Sequence, residues 1–209
     1  MSSNYIGCDF SLNKPTICLL SNGLYSFYSW PFNINPKSVQ KIGESGVNII
    51  ERTETRPKDL SASDLVRYDI TNSNNLANSI IDTLNPFINK NTKFIFEGSS
   101  FASRGNIALQ LTAWRYILVY KLSLVMSLDN IFSYSPQTLK ATAHCSKKGM
   151  GKSDMIKVFI EEGPEHEFRK HLIKGELFNK GGKKWIEIVD DVIDSYYAVR
   201  TYMKKEEFL

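Results

Sequence analysis

Short apolar runs separated by turn residues dominate the first part of the chain. Residues 5–10, 16–20 and 24–30 each have the length and apolar character of a strand. Asn22 and Gly23, between the second and third runs, favour a tight hairpin because both residues tolerate positive φ. The pattern therefore predicts three consecutive antiparallel strands.

The next stretch has a different character. Residues 31–72 are polar, irregular and punctuated by proline, with one candidate strand at 47–52, and we interpret them as an insertion. Apolar residues then recur at helical spacing between Leu76 and Ile88. The run 93–97 follows as a buried strand that ends in an acid.

The C-terminal part alternates helices with one more strand. Residues 106–124 are apolar on nearly every side, which predicts a helix that packs against more than one surface. A strand at 131–134 and helices up to Glu162 follow. Residues 163–184 are interpreted as a second, charged insertion before a last helix over 187–203.

This order favours an α/β fold in a single domain over residues 1–209. A meander followed by two crossover strands packs most economically as a mixed five-stranded sheet, antiparallel in the meander and parallel beyond it. Helices would then cover both faces of the sheet. This is the ribonuclease H-like arrangement.

Composition narrows the class of protein. The chain has 209 residues, 42% of them hydrophobic and 12% aromatic, with a net charge of +4, which excludes a disordered tail or a fully basic nucleic-acid coat. The three cysteines fit neither a disulfide framework nor a zinc site, so we expect reduced thiols in a cytoplasm. Arg115 and Lys121 interrupt the most apolar helical segment, so no membrane span is expected.

Charge is distributed unevenly near the C-terminal end. Residues 137–184 hold 11 basic and 6 acidic side chains, whereas residues 185–209 hold 3 basic and 6 acidic ones. Two ordinary solvated surfaces would explain this contrast. The alternative is a cationic surface for a polyanion beside a carboxylate cluster for a metal.

Four acids are candidates for that cluster. Asp9 lies late in the first predicted strand, Glu97 ends the fourth, and Asp191 and Asp194 share one face of the last helix. Taken singly, each acid fits a turn or the first turn of a helix. Together they could share divalent cations, because Mg²⁺ prefers hard oxygen ligands and two such ions about 4 Å apart catalyse phosphodiester cleavage. Asp190 also neighbours Asp194, so the third ligand could be Asp190 or Asp191.

Four sequence blocks resemble the RuvC family of Holliday-junction resolvases, which belong to the ribonuclease H-like superfamily. The blocks lie at residues 6–12 (IGCDFSL), 94–97 (FIFE), 134–140 (YSPQTLK) with 149–153 (GMGKS), and 191–196 (DVIDSY). The two insertions and the many Asn, Lys and Ile residues resemble bacteriophage or other viral members. The resemblance departs from the family at Phe10 and Ser11, where the family usually has proline and glycine.

The resemblance implies a crossover junction endodeoxyribonuclease that cleaves Holliday junctions and other branched DNA by two-metal phosphodiester hydrolysis. The four acids would hold two Mg²⁺, with Mn²⁺ able to substitute, and Lys152 would lie near the scissile phosphate. Such a protein would be a homodimer that contacts its partner through the helix over 106–124. For a viral member, the location would be the host cytoplasm.

A set of residues would contact DNA. Residues 137–157 hold five lysines and only one acid, Asp154. This segment therefore suits contacts to DNA phosphates, which do not distinguish one base sequence from another. The resemblance implies that Lys140 contacts DNA. It also makes Phe101 the candidate for an aromatic residue that inserts into the junction. The candidate DNA-binding residues are Lys140, Lys147, Lys148, Lys152, Phe101 and Arg104.

Two functions from other classes stay open. A catalytically silent ribonuclease H-like module would bind branched DNA equally well with and without Mg²⁺. An actin-like or sugar-kinase-type ATPase also begins with a strand aspartate, but it normally needs a second domain, for which 209 residues leave little room.

Overall fold

A computed structural model describes residues 3–52, 54, 61–98, 106–179 and 184–207. Its first three strands, β1 (Tyr5–Asp9), β2 (Thr16–Ser21) and β3 (Leu24–Ser29), pair antiparallel in chain order. Asn22 and Gly23 have φ values of 51° and 78°, so the β2–β3 hairpin uses the left-handed backbone that an Asn-Gly turn favours. The predicted meander is confirmed.

The sheet has six strands, one more than the sequence predicted. β4 (Val47–Ile49), β5 (Lys93–Glu97) and β6 (Ile131–Tyr134) complete it in the order β4-β3-β2-β1-β5-β6. β5 and β6 are parallel to β1, and β4 is parallel to β3. The count of five was wrong because the candidate strand at 47–52 is β4, which joins the sheet at its edge by pairing with β3.

Helices cover both faces of the sheet, as the fold class requires. They are α1 (Pro36–Glu44), α2 (Ala62–Leu84), α3 (Asn106–Ser123), α4 (Pro136–Thr142), α5 (Lys152–Glu162), α6 (Glu167–Ile173) and α7 (Glu187–Tyr202), with 3₁₀ turns at Asn85–Phe87 and Leu128–Asn130 and a π-helical turn at Met203–Glu207. None of the helices in the described part of the chain is both long and apolar enough to cross a membrane.

The alternation of side chains along the strands divides the interior into two cores. Ile6 and Cys8 of β1 pack with α2 and α3, as do Phe94 and Phe96 of β5. Ile95, between the two phenylalanines, instead joins the core formed with α1 and α4 to α7. The thiols of all the cysteines are buried and unbridged.

Neither of the two segments interpreted as insertions is irregular throughout. Within residues 31–72, Asn35 caps α1 by accepting a hydrogen bond from the Lys37 N–H, and Ile42 of α1 is buried. Within 163–184, Phe168 and Leu172 of α6 are buried in the core. Sparse apolar residues at helical spacing, which the polar composition obscured, explain why both helices were missed.

A glycine brings α7 against β1. A Cβ atom at Gly7 would overlap the carbonyl oxygen of Ser195 and lie 2.8 Å from Val199 Cγ2, so only glycine permits this approach. Asp9 lies two residues beyond Gly7 on the same face of β1 and therefore faces α7 as well. The helix that carries Asp191 and Asp194 is thus seated directly beside Asp9.

Candidate active site

Two acids lie at one edge of the sheet because of strand direction. Asp9 is the last residue of β1, and Glu97 is the last residue of β5. The two strands are adjacent and parallel, with Cys8 opposite Phe96, so their C-terminal ends meet. The polypeptide fold therefore places two carboxylates side by side at the ends of two apolar strands.

A third acid reaches them from α7. One carboxylate oxygen each from Asp9, Glu97 and Asp194 lie within 4.8 Å of one another, a set of distances that a metal ion could bridge. We call these three residues the carboxylate cluster. Asp194 is buried, whereas Asp9 and Glu97 are half-buried, so the cluster opens to solvent on the sheet side.

Asp190 and Asp191 lie beside the cluster and contact lysines. Asp191 is buried, and its Oδ2 lies 2.9 Å from Lys14 Nζ. The Lys14 ammonium also donates a hydrogen bond to the Glu187 carbonyl, at 2.8 Å, while it pairs with Asp191. Asp190 is more exposed, and its Oδ2 lies 3.9 Å from Lys152 Nζ.

Lys152, the first residue of α5, is the cation closest to Asp194 in the described part of the chain. Its Nζ lies 3.2 Å from Asp194 Oδ2 and 4.0 Å from Asp191 Oδ1. Partial burial disfavours the ammonium, but the charges of Asp194, Asp191, Asp190 and Asp9 outweigh this effect and raise the pKa of Lys152. Lys152 therefore stays protonated over the whole working pH range.

The acids hold protons more tightly than isolated carboxyl groups do. Burial, followed by the charges of the neighbouring acids, raises the pKa of Asp9 well above its ordinary value and that of Glu97 to about 7. Burial also raises the pKa of Asp191 to about 6, although Lys14 opposes the shift, and raises the pKa of Asp194 against the effect of Lys152. The site thus favours protonated acids as long as no cation is bound to compensate their burial.

The residues present fit a divalent cation. The cluster offers hard oxygen donors from three rigid elements, which is the donor set that Mg²⁺ and Mn²⁺ prefer. Asp191 adds one more buried carboxylate beside the cluster, with its Oδ2 2.9 Å from the Lys14 ammonium. A bound cation would favour the ionised form of these acids, against the burial that raises their pKa values.

Two basic residues at the site were missed from the sequence. The local pattern at Lys14 indicates only a turn between two predicted strands, and Arg115 only interrupts an apolar helix. Arg115 donates to the Glu97 carbonyl, at 3.2 Å, and lies over the Phe96 ring. Both residues reach the site from distant parts of the chain. Only the spacing of Lys14 after Asp9, within one strand-to-strand loop, could have suggested its place.

A cleft of about 240 Å³ opens onto the carboxylates. Asp9, Glu97, Arg115, Lys152 and Asp191 all line it. The cleft thus combines acids, which suit a cation, with two basic groups that suit an anionic substrate.

The lysines expected to contact DNA differ in how they are placed around the carboxylate cluster. Lys140 on α4 is half-buried and close enough to Asp194 to lower the pKa of that residue. Lys147 and Lys148 are exposed in the loop between α4 and α5. Phe101 and Arg104, the remaining candidates, lie outside the described residues.

Three solved structures with a similar fold are two of RuvC and one of a yeast Holliday junction resolvase. Over 96% of the chain, Thermus thermophilus RuvC superposes with a TM-score of 0.53 at 9% identity, covering 95% of the RuvC chain. T. thermophilus RuvC in complex with a Holliday junction substrate gives 0.50 at 8% identity over 99% of this chain and 98% of that one. The yeast mitochondrial Holliday junction resolvase Ydc2 gives 0.51 at 15% identity, over 96% of this chain and 77% of that one.

These likenesses confirm the predicted ribonuclease H-like, RuvC-type fold. No family model matches the chain, and no curated protein matches it in sequence.

Proposed function

We propose that the protein is a Mg²⁺-dependent, structure-selective endodeoxyribonuclease that cleaves Holliday junctions and other branched DNA. The convergence of Asp9, Glu97 and Asp194 within 4.8 Å carries this proposal. The RuvC-type fold supports it, because the structural neighbours are Holliday-junction resolvases.

In this proposal the acids have distinct tasks. Asp9, Glu97 and Asp194 hold the metal, and Asp191 takes part through its buried oxygen, with Asp190 as the alternative ligand. Divalent cations bound there supply Lewis acidity that activates a water molecule and stabilises the leaving oxygen of a phosphodiester. Because the acids come from two strands and a packed helix, their positions are fixed before substrate arrives.

Lys152 acts on the substrate rather than on the metal. Its ammonium lies at the mouth of the cleft and stays protonated, so it stabilises negative charge that builds on the phosphate during cleavage. Lys140, Lys147 and Lys148 hold the DNA backbone nearby. Phe101 and Arg104 stay predicted contacts.

We also propose a homodimer that associates through α2 and α3. Tyr116 and Tyr120 of α3 and Val66 and Ile70 of α2 are each more than half exposed, which is unusual for so many large apolar side chains on two adjacent helices. Changing both tyrosines to lysine should give a monomer in sedimentation equilibrium. Leu24→Lys, at an equally exposed leucine in the β2–β3 hairpin, is the matched control and should leave the mass unchanged.

The nuclease activity has a direct test. Labelled four-way, three-way, flap and duplex DNAs are incubated with protein and Mg²⁺, and the cuts are mapped on every strand. Cleavage should favour the branched substrates and disappear in Asp9→Asn, while Asp82→Asn, at an exposed acid on α2, cleaves normally. Full cleavage by a folded Asp9→Asn protein would refute the mechanism. Mg²⁺-independent binding with no nicks would identify a silent junction-binding module instead.

A further inference from the structure

Two adjoining grooves lead away from the carboxylate cluster. The inner groove, of about 440 Å³, is lined by Lys152, the ion-pair partner of Asp194, and by Asp190, Lys14, Trp185 and Phe178. The outer groove, of about 430 Å³, also includes Phe178 and continues to α1. Phe178 lines both grooves, which therefore adjoin at its side chain, and we call the two grooves together the path.

Two aromatic rings stand where the grooves meet. The rings of Phe178 and Trp185 stack with centroids 3.8 Å apart and planes 21° from parallel. An antiparallel bridge joins the two residues, and the Ile186 N–H donates to the Leu177 carbonyl at 2.9 Å. Both rings stay half-exposed although their backbone is fixed. They therefore present a preformed flat apolar surface to the path.

The charge along the path is mainly positive. Lys14, Lys152 and Lys184 line the inner groove together with the acids Glu187 and Asp190, and Lys14 and Lys152 are paired with acids of α7. Among the described residues that line the outer groove, both charged side chains are lysines, Lys37 and Lys41. The path thus becomes more cationic with distance from the carboxylates.

We propose that the two grooves bind one unpaired DNA strand as it leaves the carboxylate cluster. Its phosphates contact the lysines, and a base stacks on the Phe178–Trp185 pair. This inference rests on the proposed function, because a strand whose phosphodiester lies at the cluster must continue along the surface beside it.

A single strand fits this path better than a duplex does. An aromatic platform stacks with a base face only when that base is free of its neighbours, and a cationic groove with exposed aromatics is the usual surface for unpaired strands. At a branch point, strands part from their partners and unpaired nucleotides become available. The path therefore suits a nuclease that acts where DNA strands separate.

Stacking can be tested without cleavage. Fluorescence anisotropy measures the binding of a fluorescein-labelled oligothymidylate in EDTA. In a second assay, unlabelled oligothymidylate is added and the quenching of tryptophan emission is measured. Trp30 and Trp114 are buried, so DNA can quench only Trp185 directly. Trp185→Leu should weaken binding about tenfold. Trp185→Phe should keep the affinity and lose the quenching, which a purely structural role for the indole does not predict.

Lysine variants provide a second test that does not depend on the aromatic pair. Lys37 is exposed on α1, so Lys37→Ala should fold normally. It should lower the slope of log affinity against log salt for the oligothymidylate by about 0.7, the value for one phosphate contact on a single strand. Lys90→Ala removes an exposed lysine at the opposite edge of the sheet and should change nothing.

The outcomes separate this inference from the proposed function. If wild-type protein cleaves junctions while Trp185→Leu and Lys37→Ala bind the oligothymidylate as tightly as wild type, the strand path is refuted and the nuclease stands. If these variants lose affinity but wild-type protein cuts none of the branched substrates, the path stands and the nuclease proposal fails.

Discussion

Lys14 Nζ lies 2.9 Å from Asp191 Oδ2 and is anchored to the backbone of the same helix through the Glu187 carbonyl. The lysine belongs to the β1–β2 loop, directly after the strand that carries Asp9. It therefore links the loop beside one acid of the site to the helix that carries two others. The charge of Asp191 is balanced by this ammonium, while Asp9, Glu97 and Asp194 face one another.

Lys14→Met should destabilise the metal-free protein mainly at high pH. At pH 8 Asp191 is ionised, because its pKa is about 6, and loss of its partner should cost about 1–3 kcal/mol of unfolding free energy. At pH 5 Asp191 is protonated and the loss should be much smaller. Denaturant unfolding in EDTA at both pH values measures the difference.

Lys90→Met, at an exposed lysine remote from the site, is the control for the loss of a charge. An equal loss of stability for Lys14→Met at pH 5 and pH 8 would mean that Lys14 contributes packing rather than charge compensation.

Glu97 should make the metal-free protein less stable as the pH rises. Its pKa is raised from 4.5 to about 7, so between these values the folded chain holds more protons than the unfolded chain, and stability falls with increasing pH. Glu97→Gln mimics the protonated acid and should lack this component. The difference in unfolding free energy between wild type and Glu97→Gln should therefore decline from pH 4.5 to 7 in EDTA.

Saturating Mg²⁺ should reverse that decline, since a bound cation favours the ionised carboxylate. A difference that is flat with pH, or that rises with it, would contradict the raised pKa.

Loss of the Asp194 carboxylate should slow junction cleavage much more than loss of the Asp190 carboxylate. Asp194 belongs to the carboxylate cluster, whereas Asp190 lies outside it and contacts Lys152 at 3.9 Å. Asp194→Asn should lower junction cleavage by about 100-fold or more, and Asp190→Asn by only about threefold. Initial rates of nicking at saturating Mg²⁺ measure both. The reverse order would assign the third ligand to Asp190.

Gly7→Ala should disturb the site although the glycine carries no charge. The added methyl group would overlap the Ser195 carbonyl, so α7 must move away from β1, at a cost of about 1–3 kcal/mol. This movement separates Asp194 from Asp9 and should weaken Mg²⁺ binding in calorimetric titrations. Gly23→Ala, in the exposed hairpin turn, also loses stability because its φ is 78°, but it should leave Mg²⁺ affinity unchanged.

The sequence predicted the elements whose signals are local. The alternating and buried runs of β1, β2, β3 and β5 defined the meander and the position of Glu97, and the spacing of Asp191 and Asp194 placed both on one helical face. Each of these predictions needs only neighbouring residues. The structure adds how they combine, with Asp194 in the cluster and Asp191 paired to Lys14.

Features that depend on distant contacts were not predictable in this way. The local pattern predicts a candidate strand at 47–52, but the place of β4 at the edge of the sheet depends on its parallel pairing with β3. The stack of Phe178 on Trp185 requires a chain reversal within a charged segment. In the sequence, Arg115 is only a polar residue within an apolar helix, and its contact with Glu97 depends on the packing of α3 against β5. In each case a residue or strand distant in the sequence, rather than the local pattern, determines the structure that forms.

The position of α7 in the chain has a consequence for biosynthesis. A ribosome delivers Asp9 and Glu97 well before Asp194, and N-terminal parts of a chain begin to fold first. Until α7 has emerged and docked beside Gly7, the nascent protein holds only two of the three clustered acids. A metal site built from all three acids can therefore form only after α7 has docked, so we expect the proposed cleavage to begin only once that helix is in place.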